Sequence, residues 1–128
     1  MSDQAERVAA VDLLALVQAS GERGPLWTHQ SADLNVNLVA LDAGQSLAES
    51  VNGEVDVLLV GVAGEGVVTV DGQPLGLAAG HALVVPKGAR RAIASVGGRF
   101  AYLTCHRRRA GLWPTNVPRP EHGNGDTG

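Results

Sequence analysis

Turn-forming glycines and prolines recur at short, even intervals between Gly44 and Ser95, and this spacing constrains the fold of the chain most strongly. The runs between them are short and rich in Val, Leu and Ile. Short apolar runs bounded by Gly, Pro, Asn or Asp are typical of β-strands, and the pair Asp71-Gly72 is typical of a tight hairpin turn. Regular spacing of this kind predicts an all-β sandwich or barrel.

The predicted strands share this apolar composition and carry turn residues at their ends. They are Leu34–Leu41, Ser46–Val51, Val55–Val62, Val67–Val70, Pro74–Leu77, Ala82–Val85, Arg91–Ser95 and Phe100–Arg107. The run Val55–Val62 is apolar apart from Asp56, which favours a strand buried on both faces.

A short helix is predicted ahead of the strands, from about residue 4 to residue 19, with Ser2 or Asp3 as its cap. Gly21 and Gly24 end it, and Pro25 prevents its continuation. From Pro114 the chain is rich in proline and glycine with little to bury, which predicts a disordered tail. The predicted organisation is a helix and linker over residues 1–25, a β-barrel over 26–113 and a tail over 114–128.

The overall composition excludes several classes of protein. A net charge of −3 argues against a general nucleic-acid binder, because such proteins need a positive field. No apolar stretch reaches the roughly 18 residues of a membrane span. Cys105 is the single cysteine, so an internal disulfide is excluded and a reducing cytoplasm is favoured.

Two segments are similar to the two motifs of the cupin family. After Gly44 come five residues, then Ser50-Val51-Asn52, four residues, Val57, six residues and Gly64; after Gly80 come five residues, then Pro86-Lys87-Gly88, two residues, Arg91, three residues and Ser95. The resemblance covers about Asn35 to Arg107. It implies a cupin-type double-stranded β-barrel, or jelly roll, with the short helix added at its N-terminus. It also implies a homodimer formed through outer strands, to which Leu58–Val62 and the helix could contribute.

The resemblance assigns the family's metal ligands to positions Ser50, Asn52, Val57 and Arg91. Valine offers no lone pair, and arginine offers only donors and a positive charge. We therefore predict no cofactor. A divalent metal held by unusual ligands, such as His106, Asp56 and Asn52, is the alternative.

Arg91 is the sharpest candidate for a binding residue. In the register of the motif its guanidinium points into the barrel, where a buried arginine needs a counter-charge. Asp56 could supply it, as could Glu49 or Glu54, or a small ligand could bring a carboxylate or phosphate. The alternative is that Arg90 or Arg91 simply faces solvent at a strand end.

Further candidates are predicted to line the same interior. Asn37, Ser50 and Asn52 offer neutral polar groups, and His106 lies on the strand face of Tyr102 and Thr104. His106 could serve as a proton shuttle or be a structural histidine. The predicted ligand-binding set is Arg91, Ser50, Asn52, Asn37, His106 and Asp56.

Three functions follow from these residues. The first is a metal-free protein that binds a small polar or anionic molecule inside the barrel. The second is a small enzyme, either metal-dependent with atypical ligands or a metal-free isomerase or cyclase that uses His106 as its acid or base. The third is a structural or interaction protein with a degenerate pocket.

Overall fold

The computed structural model describes residues 8–107, most of which lie in β-strands. One short helix, α1, spans Leu13–Ala19. The strands that follow are β1 (Gly24–Gln30), β2 (Leu34–Leu41), β3 (Ser46–Val51), β4 (Val57–Ala63), β5 (Glu65–Val70), β6 (Gln73–Ala78), β7 (Ala82–Val85), β8 (Arg90–Ser95) and β9 (Phe100–Arg107).

The strands form two antiparallel sheets that face each other as a jelly roll. Sheet A has the strand order β1-β2-β9-β4-β7, and sheet B has the order β3-β8-β5-β6. The core between them is apolar: Leu59 and Val68 pack with Phe100 and Tyr102, whose rings stack with centroids 5.3 Å apart. Because side chains alternate along a strand, the inner face of β9 continues from these rings to Thr104 and His106 and so becomes polar.

The predicted strands and the clearest predicted turn are confirmed. Strands β2, β3, β7 and β9 have the predicted bounds, and β4, β5, β6 and β8 differ by one or two residues at one or both ends. Strand β1 was not predicted. Asp71 and Gly72 have φ angles of 49° and 85° and join β5 to β6 with Val70 opposite Gln73. Positive φ at both central residues is the geometry of a tight hairpin turn.

The prediction that Val55–Val62 is buried on both faces is wrong at its outer face. Strand β4 begins at Val57, and its burial alternates: Val57 and Leu59 are buried, whereas Leu58 is 37% exposed. Leu58 lies opposite Val84 of the edge strand β7, and the side chain of Val84 is also exposed. Helix α1 covers a different part of this outer face, so the apolar run does not indicate burial on both sides.

The helix begins later than predicted. Its cap is Asp12, whose Oδ1 accepts a hydrogen bond of 3.0 Å from the backbone N–H of Ala15. Val8 is 95% exposed, so the residues just before the cap have no surface to pack on. Within α1, Val17 is buried against Leu38 and Ala101 on the outer face of sheet A. This confirms the expectation of a short helix outside a sheet.

Other predictions on the ends of the chain lie outside the described residues. These are the helix start at residues 4–7 with its caps Ser2 and Asp3, and the disordered tail over 114–128. The domain boundaries and the homodimer stay predictions. Within residues 8–107 no helix has the length and apolar character needed to cross a membrane.

Candidate ligand-binding site

A cavity of about 80 Å³ lies between the two sheets. Its main lining side chains are Leu47, Ser50, Arg91, Ile93, Tyr102 and Thr104. Cross-strand partners share a face of the sheet, and Leu47 pairs with Ile93 while Ser50 pairs with Arg91. Ile93 belongs to the buried core, so all four of these side chains face inward from sheet B. Tyr102 and Thr104 close the cavity from sheet A.

Arg91 is one of the residues that line this cavity. Its cross-strand partners are Ser50 on one side and Val70 on the other, and Val70 packs against the core. The preceding residue, Arg90, faces away and is exposed. Of these two arginines at the start of β8, Arg90 is the one that faces solvent, and Arg91 is half-buried.

Tyr102 forms the wall opposite Arg91 and is only 2% exposed. Burial raises the pKa of Tyr102 to about 12, and the positive charge of Arg91 lowers it by a smaller amount. The phenol is therefore neutral at physiological pH and can donate a hydrogen bond.

A series of hydrogen bonds between polar side chains of neighbouring strands leads to Thr104 and orients it. Thr28 donates to Asn37 Oδ1 at 2.6 Å, and Asn37 Nδ2 donates to Thr104 Oγ1 at 3.4 Å. The second contact of Nδ2 is Asn35 Oδ1, at 3.5 Å. Asn37 is therefore occupied by other side chains, and it orients Thr104 instead of lining the cavity itself. Because Thr104 accepts from Asn37, its hydroxyl proton can be given to a ligand.

His106 follows Thr104 on the inner face of β9 and is 9% exposed. Its Nδ1 lies 2.8 Å from the carbonyl oxygen of Arg107. A carbonyl can only accept, so Nδ1 carries the hydrogen, and in the neutral ring Nε2 carries the lone pair. His106 is not in the wall of the 80 Å³ cavity, which ends at Thr104 on this strand.

Ser50 and Asn52, two candidates from the first motif, have different roles. Ser50 lines the cavity and is exposed, since β3 is the edge strand of sheet B. Asn52 is 5% exposed, and its Oδ1 accepts from the backbone N–H groups of Glu54 at 2.9 Å and Val55 at 3.3 Å. Its carbonyl accepts from Gly88 at 2.7 Å. Asn52 therefore stabilises the crossover from β3 to β4, while its buried Nδ2 has no partner among the described residues.

Asp56 is not brought to the cavity. It is exposed, and its Oδ1 accepts a hydrogen bond of 2.9 Å from the backbone N–H of Lys87. This contact joins the start of β4 to the turn Pro86-Lys87-Gly88. The proposed role of Asp56 as counter-charge to Arg91 has no support in this placement, because the carboxylate faces the outside of the barrel.

The residues at the four metal positions do not fit a metal ion. Val57 is 1% exposed and belongs to the apolar core, and Arg91 presents only N–H donors. Within residues 8–107 no three His, Cys, Asp or Glu side chains lie close enough to hold a metal. The alternative site of His106, Asp56 and Asn52 is not assembled in that part of the chain.

A larger groove of about 320 Å³ lies at the open end of the β5–β6 hairpin. Glu65 and His81 lie on its rim, and Val67, Leu77, Ala78 and Val96 form much of its wall. The side chains of Glu65 and His81 are both exposed to solvent, so they remain hydrated. The smaller cavity is the better candidate site because polar side chains from both sheets converge in it, next to the buried ring of Tyr102.

Two residues of the site were missed as ligand-binding candidates. Tyr102 and Thr104 carry the polar groups that face Arg91, yet the sequence marked them only as neighbours of His106 on one strand face. The alternation along β9 contained the signal, since any inward set that includes His106 must include both. The sequence did not show at which end of the barrel Arg91 lies, so it could not place Tyr102 and Thr104 beside it.

Comparisons with solved structures agree with this fold. The chain is 32% identical to a cupin superfamily protein from Desulfitobacterium hafniense, over 62% of this chain and 71% of that one, with a TM-score of 0.57. It is 23% identical to a cupin protein from Bacteroides fragilis, over 64% and 70%, with a TM-score of 0.56. A cupin-2 domain protein from Shewanella frigidimarina is 15% identical over 77% and 94%, with a TM-score of 0.65. No family model and no curated protein matches the sequence.

Proposed function

The chain belongs to the cupin superfamily, and from this premise we propose that it is a metal-free protein that binds a small polar or anionic molecule inside its barrel. The observation that carries the proposal is the inward guanidinium of Arg91, which takes a position that the family resemblance gives to a metal ligand. Arginine is suited to this task because its planar fork donates to carboxylate and phosphate. The bound molecule would present a carboxylate or phosphate to the guanidinium.

The geometry around Arg91 supports binding by direct hydrogen bonds. Ser50 at the exposed edge and Thr104 in the interior add hydroxyl groups to the same cavity. A space of about 80 Å³ holds several water-sized groups, since one water needs roughly 10–15 Å³ by this measure. The cavity therefore suits a small molecule. It also suits the polar end of a longer molecule whose remainder extends out of the cavity past Ser50.

A thermal-shift experiment with matched variants tests this function. Acetate, propionate, inorganic phosphate and neutral glycerol are added separately to the wild type, Arg91→Ala and Arg90→Ala. We expect at least one probe to raise the melting temperature of the wild type and of Arg90→Ala, because a ligand that binds only the folded state stabilises it. Arg91→Ala should show no such rise. A rise that persists in Arg91→Ala, or no rise with any probe, contradicts the proposal.

A second candidate, a metal-free enzyme, is favoured by the geometry of His106. Fixing Nδ1 on a backbone carbonyl leaves Nε2 as a base on the inner face of β9, an arrangement used by general bases. Proton abstraction next to a carbonyl can be followed by ¹H NMR of pyruvate in D₂O. Faster loss of the methyl signal with wild type than with His106→Gln supports the enzyme, and equal rates contradict it.

A further inference from the structure

We propose that a groove on the outer side of the β5–β6 hairpin is a second binding site, which takes a small alkylammonium ion. This hairpin groove is lined mainly by Glu65, His81, Val67, Gly76, Ala78 and Val96. Among the described residues it shares no lining residue with the 80 Å³ cavity, so the inference goes beyond the proposed function. Its volume of about 320 Å³ falls within the range of small-molecule sites, about 300–1,000 Å³.

The hairpin groove lies on the face of sheet B that points away from the core. Leu77 is 1% exposed and belongs to the core, and side chains alternate along a strand. Its neighbours Gly76 and Ala78 therefore face outward, and so do their cross-strand partners Val67 and Glu65. A ligand can thus enter the groove from solvent without any opening of the barrel.

Gly76 provides the first observation behind this inference. Its backbone is not in the left-handed region, no bulge interrupts its pairing with Val67, and a Cβ there would have no atom within 4 Å. Gly66 differs, because a Cβ there would overlap the ring of Phe100. A glycine weakens a strand, and in a strand it often marks a place that a ligand approaches closely. A side chain in place of Gly76 would occupy the hairpin groove.

The second observation is charge complementarity. Glu65 presents a carboxylate, which only accepts hydrogen bonds, and His81 in its neutral form presents one acceptor nitrogen. Among the described lining residues there is no lysine or arginine. A primary ammonium group has three donors, no acceptor and the opposite charge, so it matches this rim. An anion would be repelled by the carboxylate, and a neutral ligand would displace its water without supplying a counter-charge.

The apolar side chains of the hairpin groove determine the rest of the ligand. Val67 and Ala78 are half-buried, and Val96 is 46% exposed, so apolar surface is open to a ligand on this face. Covering such surface is favourable roughly in proportion to its area. A short aliphatic chain can lie along Gly76 and Ala78 with its ammonium group next to Glu65. Charge, shape and polarity therefore agree on a small primary amine in its protonated form.

Titration of the ¹⁵N-labelled chain, followed by NMR, tests the site with probes of similar size: n-butylammonium, n-butanol and butyrate. We expect n-butylammonium to shift the amide signals of Gly76 and Val67 in a saturable way. The signal of Arg91 should not move, since Arg91 lines the other cavity. The affinity for n-butylammonium should exceed that for n-butanol about three- to fivefold, because Glu65 is exposed and an exposed ion pair contributes modestly. Butyrate should bind most weakly.

Matched variants separate the shape of the hairpin groove from its charge. Gly76→Val fills the groove with a side chain that enters open space, so we expect the fold to remain and the saturable shifts to disappear. Gly21→Val adds the same side chain at another glycine with open space around it, and it should bind as the wild type does. Glu65→Gln keeps the size of the side chain and should lower the affinity for n-butylammonium to that for n-butanol, whatever the fold of Gly76→Val. Glu49→Gln, an exposed change on β3, should not.

Several outcomes would overturn this inference. Saturable binding that persists in Gly76→Val places the amine elsewhere, and no saturable shift with any probe removes the site. Equal affinities for n-butylammonium and n-butanol, or an unchanged affinity in Glu65→Gln, exclude a cationic ligand. A wild type that sediments as a dimer and a Gly76→Val that sediments as a monomer would make the groove a contact between copies. Arg91→Ala should bind n-butylammonium as the wild type does, so failure of this site leaves the proposed function untouched.

Discussion

Arg91 and Tyr102 face the same cavity from opposite sheets of the barrel, the first from β8 and the second from β9. Burial raises the pKa of Tyr102, and the guanidinium of Arg91 partly opposes that rise. The phenol therefore stays protonated next to a permanent positive charge. Both groups are hydrogen-bond donors at neutral pH, and this relationship makes the cavity complementary to an acceptor-rich anion.

Ionisation of Tyr102 gives a direct measure of this relationship. We expect the tyrosinate absorbance of the folded wild type to rise with a pKa of about 12. At pH 11 roughly a tenth of the phenol would then be ionised, compared with about nine-tenths of a freely hydrated tyrosine. Arg91→Ala should raise the pKa further because it removes the charge that favours tyrosinate, and Arg90→Ala should not. Ionisation near pH 10 in a protein that circular dichroism shows to be folded contradicts the buried placement.

The same shift predicts how stability changes in alkali. The folded state keeps the Tyr102 proton up to a pKa of about 12, while the unfolded chain loses it near the ordinary value of 10.0. Folding then binds a proton, so the free energy of unfolding falls as the pH rises above 10 and levels off beyond 12. The full effect is on the order of 2–3 kcal/mol. Urea unfolding of wild type and Tyr102→Phe from pH 8 to pH 11 should show about half of this effect, and parallel curves for the two proteins contradict it.

Two glycines of the β5–β6 hairpin should respond very differently to an added methyl group. A Cβ at Gly66 would overlap the ring of Phe100, whereas a Cβ at Gly76 would meet open space. Phe100 is fully buried and stacks on Tyr102, so its ring cannot move without disturbing the cavity wall. We expect Gly66→Ala to destabilise the protein by about 1–3 kcal/mol and Gly76→Ala to change stability by less than about 0.5 kcal/mol. The midpoints of urea unfolding of the two variants measure the difference. Equal losses of stability would show that the ring of Phe100 can move to accommodate the methyl group.

Asn52 should matter for stability and not for ligand affinity. Its Oδ1 accepts two backbone N–H groups of the crossover from β3 to β4. Asn52→Ala leaves these groups without their acceptor, and we expect a loss of about 1–3 kcal/mol. Glu49→Ala, an exposed change on β3, is the control. If Asn52→Ala instead keeps its stability and loses affinity for propionate, then Asn52 belongs to the ligand site.

Metal removal should have no effect on this protein. The residues at the family's metal positions include the buried Val57 and the donor-only Arg91. We expect the melting temperature to be the same before and after dialysis against EDTA, and elemental analysis to find less than one metal ion per chain. Stoichiometric metal that disappears in His106→Ala would contradict a metal-free site.

The sequence predicted part of the candidate site through the register of its motifs. The spacing from Gly80 to Arg91 implied that the guanidinium points inward, and Arg91 and Ser50 are the two predicted residues that line the cavity. Asn52 and Asp56 were predicted for the same interior, but each is used to hold a loop. The bonds of Asn52 are to backbone N–H groups two and three residues along the chain, a local alternative to facing a pocket. Asp56 bonds the backbone of Lys87, which the fold brings next to it, and spacing alone does not separate these roles from a place in the pocket.

The sequence by itself determined the strands and their turns, because these depend on neighbouring residues. Alternation and β-branching predicted β2, β7 and β9 with their observed bounds, and the pair Asp71-Gly72 specified its hairpin through backbone conformations that few residues adopt. Only the tertiary structure decided where α1 begins, since its first turns form where Val17 finds a surface to pack on. Only the tertiary structure placed Tyr102 opposite Arg91, because their strands belong to different sheets and are not hydrogen-bonded to each other. Their approach results from the packing of the two sheets across the core, which neither local propensity nor motif spacing encodes.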